Sequence, residues 1–294
     1  MNKVYLDNAA TTALDNEVID VMTDVMKNNY GNPSSSNYFG RKSKSIIETA
    51  RRNIANLINA ESSEIFFTSG GTEADNMAIR GAVRDANVKH VITSKIEHHA
   101  VLNTVIHLLK KQKITLSYVK LTKSGHIDLV DLEKLLQNNQ NVLVSLMHAN
   151  NEIGNLLNLE SVSLLCDRYD ALFHSDTVQT IGHYNFDLKK LKVDFLACSA
   201  HKFHGPKGVG FLYINKNINI SPLIHGGAQE RNMRGGTEYV YGIVGLEKAM
   251  EVAYRDLDEH SSHIKSIKSY MIQQIIKKLP FISFNGNSGN LSDS

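Results

Sequence analysis

Cysteine is scarce: Cys166 and Cys198 are the only two in 294 residues. Two thiols do not make the disulfide framework of a small secreted scaffold, so a reducing cytoplasm is the expected compartment. No apolar run approaches eighteen residues, which argues against a membrane-spanning helix. The opening "MNKVYLDNAATT" has no apolar core of the kind a secretory leader carries. Neither charge sign dominates: 32 Lys and Arg stand against 30 Asp and Glu, a net charge of +2. That balance gives no reason to expect nucleic acid or an acidic membrane surface as a partner. Internal repeats and low-complexity blocks are missing. Neither cysteine lies in a CxxC pair, and no HExxH or GxxxxGK[ST] occurs. No GxGxxG follows the first expected strand. A metal centre and the common nucleotide folds both lose ground.

What remains is an ordinary globular composition, 42% hydrophobic and 21% charged. Between about residues 61 and 214, short apolar runs alternate with helical segments. The runs are "EIFFTS" (64–69), "KHVITS" (89–94), "ITLSYV" (114–119), "NVLVSLM" (141–147), "ALFHSD" (171–176), "DFLACS" (194–199) and "GVGFLYI" (208–214). Continuous apolar runs suit strands covered on both faces. Strands alternating with helices predict an α/β fold with a mostly parallel sheet. The flanks read as helices. Val18, Met22 and Val25 share a face, as do Ile47, Ala50, Ile54 and Leu57. Ile243, Leu246, Met250, Ala253 and Leu257 form a third stripe. A fourth, Ile264, Ile267, Met271, Ile275 and Leu279, follows a polar break. "FISF" (281–284) then reads as a lone strand, so the C-terminal part looks unfinished.

In an open α/β sheet, ligands sit beyond the carboxyl ends of the strands. After the first strand comes "SGGTEADN". Its glycines and following helix start could cradle a phosphate, or could be a plain glycine-rich turn with Glu73 in the first helical turn. After the second come His98 and His99. Either ring could stack on a flat ligand or move a proton, or simply cap the helix at the surface. After the fourth comes "HANNEIG", a dense run of hydrogen-bonding groups. After the fifth come Asp176 and Gln179, and a carboxylate at a buried strand end needs a cationic partner. After the sixth come Ser199, His201 and Lys202. A buried lysine is readily neutralised and can form an imine with a carbonyl. An anion cradle, a ring, a carboxylate and such a lysine together fit pyridoxal 5′-phosphate (PLP), which stabilises a carbanion at an amino acid's α-carbon. Lys207, after Gly205-Pro206, is the rival amine.

Seven stretches carry a family resemblance. They are "YLDNAATT" (5–12), "TSGGTEADNMAI" (68–79), "EHHAV" (97–101), "HANNEIG" (148–154), "HSDTVQTIG" (174–182), "SAHKFHGPKGVG" (199–210) and "RGGTE" (234–238). In order and over nearly the whole chain, they resemble cysteine desulfurases of the NifS/IscS-like group. These are PLP enzymes of the class V aminotransferase type. The resemblance implies the aspartate aminotransferase-like fold type I, with a seven-stranded, mostly parallel sheet. It implies a large PLP-binding domain over 15–245. Residues 1–14 and 246–294 would form a smaller α+β domain whose C-terminal part is incomplete.

It also implies residue assignments. Lys202 would be the imine-forming lysine, Asp176 the partner of the ring nitrogen, and Gln179 a donor to the ring's phenolic oxygen. His98, directly after Glu97, would stack on the ring and assist proton transfer. Gly71 and Thr72 would contact the phosphate from one side, Ser199 and His201 from the other. Asn151 would lie near the ring and the substrate carboxylate. Thr237 would reach the phosphate in a partner subunit, which makes a homodimer.

The implied reaction removes sulfur from L-cysteine, leaving L-alanine and a persulfide. The persulfide would pass to acceptor or iron–sulfur scaffold proteins. The family's nucleophilic cysteine and its carboxylate-binding arginine would lie beyond residue 294. Cys166 and Cys198 both read as core residues and poor substitutes. The expectation is that this chain binds PLP but has little or no desulfurase activity alone. Two alternatives stay open: another class V-type enzyme, such as a selenocysteine lyase or aminotransferase, and a non-catalytic PLP-binding dimer scaffold.

Overall fold

The computed structural model describes residues 3–286. Two helices come first, α1 (Asn16–Asn28) and α2 (Tyr38–Leu57). Asp15 caps α1 by accepting from the Glu17 N–H, and Asn37 caps α2 by accepting from Gly40. Strands and helices then alternate: β1 (Ile65–Thr68), α3 (Gly71–Asp85), β2 (His90–Thr93), α4 (His99–Lys110), β3 (Thr115–Tyr118), α5 (Leu129–Gln137), β4 (Val142–Ser145), α6 (Leu159–Arg168) and β5 (Leu172–Asp176). β6 (Phe195–Ser199), β7 (Gly210–Ile214), α7 (Val240–Arg255) and α8 (Leu257–Lys278) complete the order.

All seven expected strands join one sheet in the order β1-β7-β6-β5-β4-β2-β3. β7 runs antiparallel to both neighbours, and the other pairings are parallel. Alternate residues feed two separate cores. Phe195, Ala197, Leu143 and Val91 pack with Ala74, Met77, Ala78, Val101 and Val105 of α3 and α4. Leu196, Cys198, Val144 and Phe173 face the other side, with Val18, Ile47, Ile54, Ile243 and Met250 of α1, α2 and α7. Covering both faces is why β2, β4, β6 and β7 are buried at every position.

One C-terminal expectation fails, and the fourth helical stripe forms its helix, α8, with most of the stripe exposed. Residues 281–284 form no strand, and Phe281 is fully exposed with a φ of +60°. Among the described residues no strand lies beside this segment to bond its backbone groups, so the tetrapeptide's strand propensity is not realised. In α8 only Ile272 is buried, and Ile264, Ile267, Met271 and Leu279 of the expected stripe are exposed. Helical period reports one apolar face, and only packing decides whether that face is covered.

Candidate active site

The sheet edge at the carboxyl ends of β1, β2, β4, β5 and β6 opens into a cleft of 670 Å³. Because β7 is antiparallel, its entry, Lys207-Gly208, arrives at the same edge and lines the cleft too. Gly71, Thr72, His98, Asn151, Asp176, Gln179, Ser199, His201 and Lys202 all line it. Thr237 does not; it is exposed on the segment before α7.

The glycine turn opens α3 without a side-chain cap. Its cap residue, Gly70, has a φ of +139°, a conformation that favours glycine. A Cβ on Gly71 would lie 2.5 Å from Cγ2 of Val178, so only glycine fits there. The first-turn N–H groups and the positive helix end thus face the cleft, with Ser199 and His201 on the same wall. Behind the turn, Glu73 accepts from Ser69 N–H at 2.9 Å and pairs with Arg234 at 2.9 Å. That bond ties the "RGGTE" segment to the cradle. Upstream of it, Glu230, Arg231 and Asn232 all have left-handed φ values, of 45°, 56° and 69°. Arg51, 2% exposed, grips Glu230 through two bonds of 2.7 and 2.8 Å and holds this strained turn.

His98 meets the capping expectation for it and also borders the cleft. It is the N-cap of α4, its Nδ1 accepting from Ala100 N–H at 3.1 Å, and its ring still borders the cleft. With Nδ1 an acceptor, a neutral ring carries its proton on Nε2. Asn151 donates to the Glu152 carboxylate at 2.7 Å.

Asp176 ends β5 and is buried, accepting from Val178 N–H at 2.9 Å. Burial, helped by the nearby Asp75 carboxyl, pushes its pKa up to about 7. Lys202 lies in the single turn after β6 and is half-buried. Burial lowers its pKa, while Asp176 and Asp7 oppose that shift. Its Nζ donates to the carbonyls of Ala9 and Ala10, and Gln179 donates to Ala9 at 2.9 Å. The N-terminal segment thus crosses the mouth of the cleft. Thr12 bonds the His201 carbonyl through both its N–H (2.9 Å) and its hydroxyl (3.0 Å). His204, a residue the sequence left without a task, anchors the segment: its N–H donates to Thr12 Oγ1 at 2.7 Å and its Nδ1 donates to the Ala13 carbonyl at 2.9 Å.

Three further groups had no assignment from sequence. Asp75, Glu97 and His174 are buried beside the cleft. Glu97 accepts from Ser94 at 2.8 Å and Met147 N–H at 3.0 Å, and burial raises its pKa to about 8. His174 shares a strand face with Asp176 by period two, a signal available in "HSD". Nothing in the sequence placed Asp75 against it. Cys166 and Cys198 are both buried, and burial raises both thiols. Among the described residues, no three His, Cys, Asp or Glu side chains converge as metal ligands would, and no helix is long and apolar enough to cross a membrane.

Comparison with known proteins adds a family. The aminotransferase class-V profile matches residues 4–293. A protein of Dictyoglomus turgidum named cysteine desulfurase IscS is 47% identical over 290 residues, 98% of this chain and 73% of that protein. A solved NifS-like protein superposes with a TM-score of 0.90 at 41% identity, over 94% of this chain and 76% of the other. A solved structure of SspA in complex with cysteine is 35% identical with a TM-score of 0.80, over 85% and 72% of the two chains.

Proposed function

This chain belongs to the class-V aminotransferase family, among its NifS/IscS-like cysteine desulfurases, and from that premise we propose how its cleft handles L-cysteine. The observation that carries the proposal is the convergence at one sheet edge of an uncapped helix start, a buried carboxyl and a half-buried lysine. That donor set fits PLP. Gly71 and Thr72 would hold its phosphate from the α3 terminus, together with Ser199 and His201. Asp176 would face the ring nitrogen, Gln179 the phenolic oxygen, and His98 the ring face. When bound, PLP supplies an electron sink for the substrate's α-carbon.

The chain's own groups supply the rest. Depressed by burial, the Lys202 amine holds a smaller share of its charged form and serves as a nucleophile and base. His98 would give a proton into the cleft from Nε2, since Nδ1 accepts from Ala100 N–H. Asn151 and the N-terminal segment would line the substrate side of the cleft. The sulfur of L-cysteine passes to an acceptor thiol as a persulfide, and L-alanine leaves. That thiol is neither Cys166 nor Cys198, since both are buried in the core with raised thiol pKa values. A homodimer fits the exposed position of Thr237 outside its own chain's cleft, and sulfur-acceptor or iron–sulfur scaffold proteins would take the product.

The test is spectroscopic. PLP-loaded protein is expected to change its visible spectrum on adding L-cysteine, and Lys202→Ala is expected to lose covalent PLP retention after borohydride reduction. Full retention in Lys202→Ala, or an inert spectrum with L-cysteine, would overturn the reading.

A further inference from the structure

Beneath the cleft lies a pair the proposed chemistry does not use. Oδ1 of Asp75, on α3, is 3.3 Å from Nε2 of His174, on β5. The two side chains are 1% and 0% exposed. Neither carboxyl oxygen of Asp75 nor Nε2 of His174 has another hydrogen-bond partner. The other ring nitrogen, Nδ1, is 2.8 Å from Ser145 Oγ on the adjoining strand β4. His174 and Asp176 share a face of β5, and Asp75 also lines the cleft.

Two buried ionisable groups in contact, with Ser145 Oγ as the one further partner of the His174 ring, are stable only as a unit without net charge. One proton achieves this in either of two ways. It can sit on Asp75, whose O–H then donates to Nε2. It can sit on Nε2, leaving an imidazolium beside a carboxylate. Nδ1–H donates to Ser145 Oγ in both arrangements, so the proton moves only between Oδ1 and Nε2. The charged groups facing the pair choose between the two. Asp176 acts on His174 from the same strand, and Glu97 and Asp75 act on one another. His98 acts through Asp176. An ionised Asp176 favours the arrangement with the imidazolium next to it.

We propose that Asp75 and His174 form a buried one-proton pair that acts as a positioning unit for Asp176, its proton moving onto His174 when Asp176 ionises. The pair itself stays neutral while its imidazolium end lies next to the buried Asp176 carboxylate, which remains available to a ring nitrogen. The link to that ring rests on the cofactor reading; the pair itself does not.

The signature is an inverted titration. A free histidine gains its proton as pH falls. Here the ring 15N signals of His174 in the cofactor-free wild-type chain are expected to move toward imidazolium as pH rises through the ionisation of Asp176. Asp176→Asn is expected to keep the ring neutral across that range, and Asp75→Asn to do the same. Asp75→Asn is also expected to weaken PLP binding about tenfold, as loss of an outer-shell partner does at other sites. A ring that stays neutral in wild type, or titrates only in the ordinary sense, overturns the proposal. So does an inverted titration that survives Asp75→Asn. The wild-type titration needs no substitution, so it stands even if a variant folds poorly. Failure of the wild-type chain to bind PLP would instead sink the cofactor reading and leave the titration result intact.

Discussion

Nζ of Lys202 donates to the Ala10 carbonyl at 2.9 Å, across 192 residues of sequence. The amine is thus held at the cleft wall by the backbone of the N-terminal segment, while burial lowers its proton affinity. Thr11, Thr12 and His204 fix that segment in turn. "NAATT" therefore belongs with the lysine motif as one structural unit.

The buried carboxyls make the cofactor-free protein pH-sensitive in a defined direction. Asp176 and Glu97 have pKa values raised by burial to about 7 and about 8. The folded state therefore keeps protons that the unfolded chain releases near pH 4, and stability falls as pH rises through that window. Asp176→Asn and Glu97→Gln are each expected to remove part of the loss, about 2–4 kcal/mol at pH 8.5. Urea unfolding at pH 5.5 and 8.5 measures this. Equal pH dependence in wild type and both variants would contradict it.

Gly71 should tolerate no side chain. Gly71→Ala places a Cβ 2.5 Å from Val178 Cγ2, overpacking worth about 1–3 kcal/mol at the cradle. PLP affinity is expected to fall at least about tenfold. The double variant Gly71→Ala/Val178→Ala should recover most of the affinity, as read by fluorescence titration with PLP. No recovery would mean that the contact with Val178 is not the cause.

Breaking the Arg51–Glu230 pair should be costly. Glu230 also accepts from Phe67 N–H at 2.8 Å, so Glu230→Ala leaves that backbone donor without its acceptor and leaves the buried Arg51 guanidinium with only half-exposed Glu48 and the Ile65 carbonyl. A loss of about 3–5 kcal/mol is expected, with faster tryptic cleavage at Arg231 and Arg234. A loss under about 1 kcal/mol would show that the left-handed turn is held some other way.

Both cysteines should be silent. Cys166 and Cys198 are expected to resist thiol reagents for hours when folded and to react within minutes in denaturant. After incubation with PLP and L-cysteine, mass spectrometry should find persulfide on neither. Persulfide on Cys198 would force a different account of the acceptor.

Much of this protein was legible in its residues. Continuous apolar runs marked all seven strands; β2, β4, β6 and β7 are covered on both faces, while the edge strand β3 is exposed at Thr115 and Tyr118. The punctuation after those runs marked most of the cleft, because chain direction alone puts polar residues at the carboxyl ends of parallel strands. Sequence failed where a partner had to be known. "FISF" had strand composition and no neighbouring strand among the described residues, and the α8 stripe had helical period with most of its residues exposed. Only tertiary structure turned β7 antiparallel and so brought Lys207-Gly208 to the cleft. Only tertiary structure set Asp75 against His174 and laid residues 9–13 over Lys202. Local pattern fixes which residues leave water; the contacts between distant residues that settle charge and proton position arise only when the sheet is assembled.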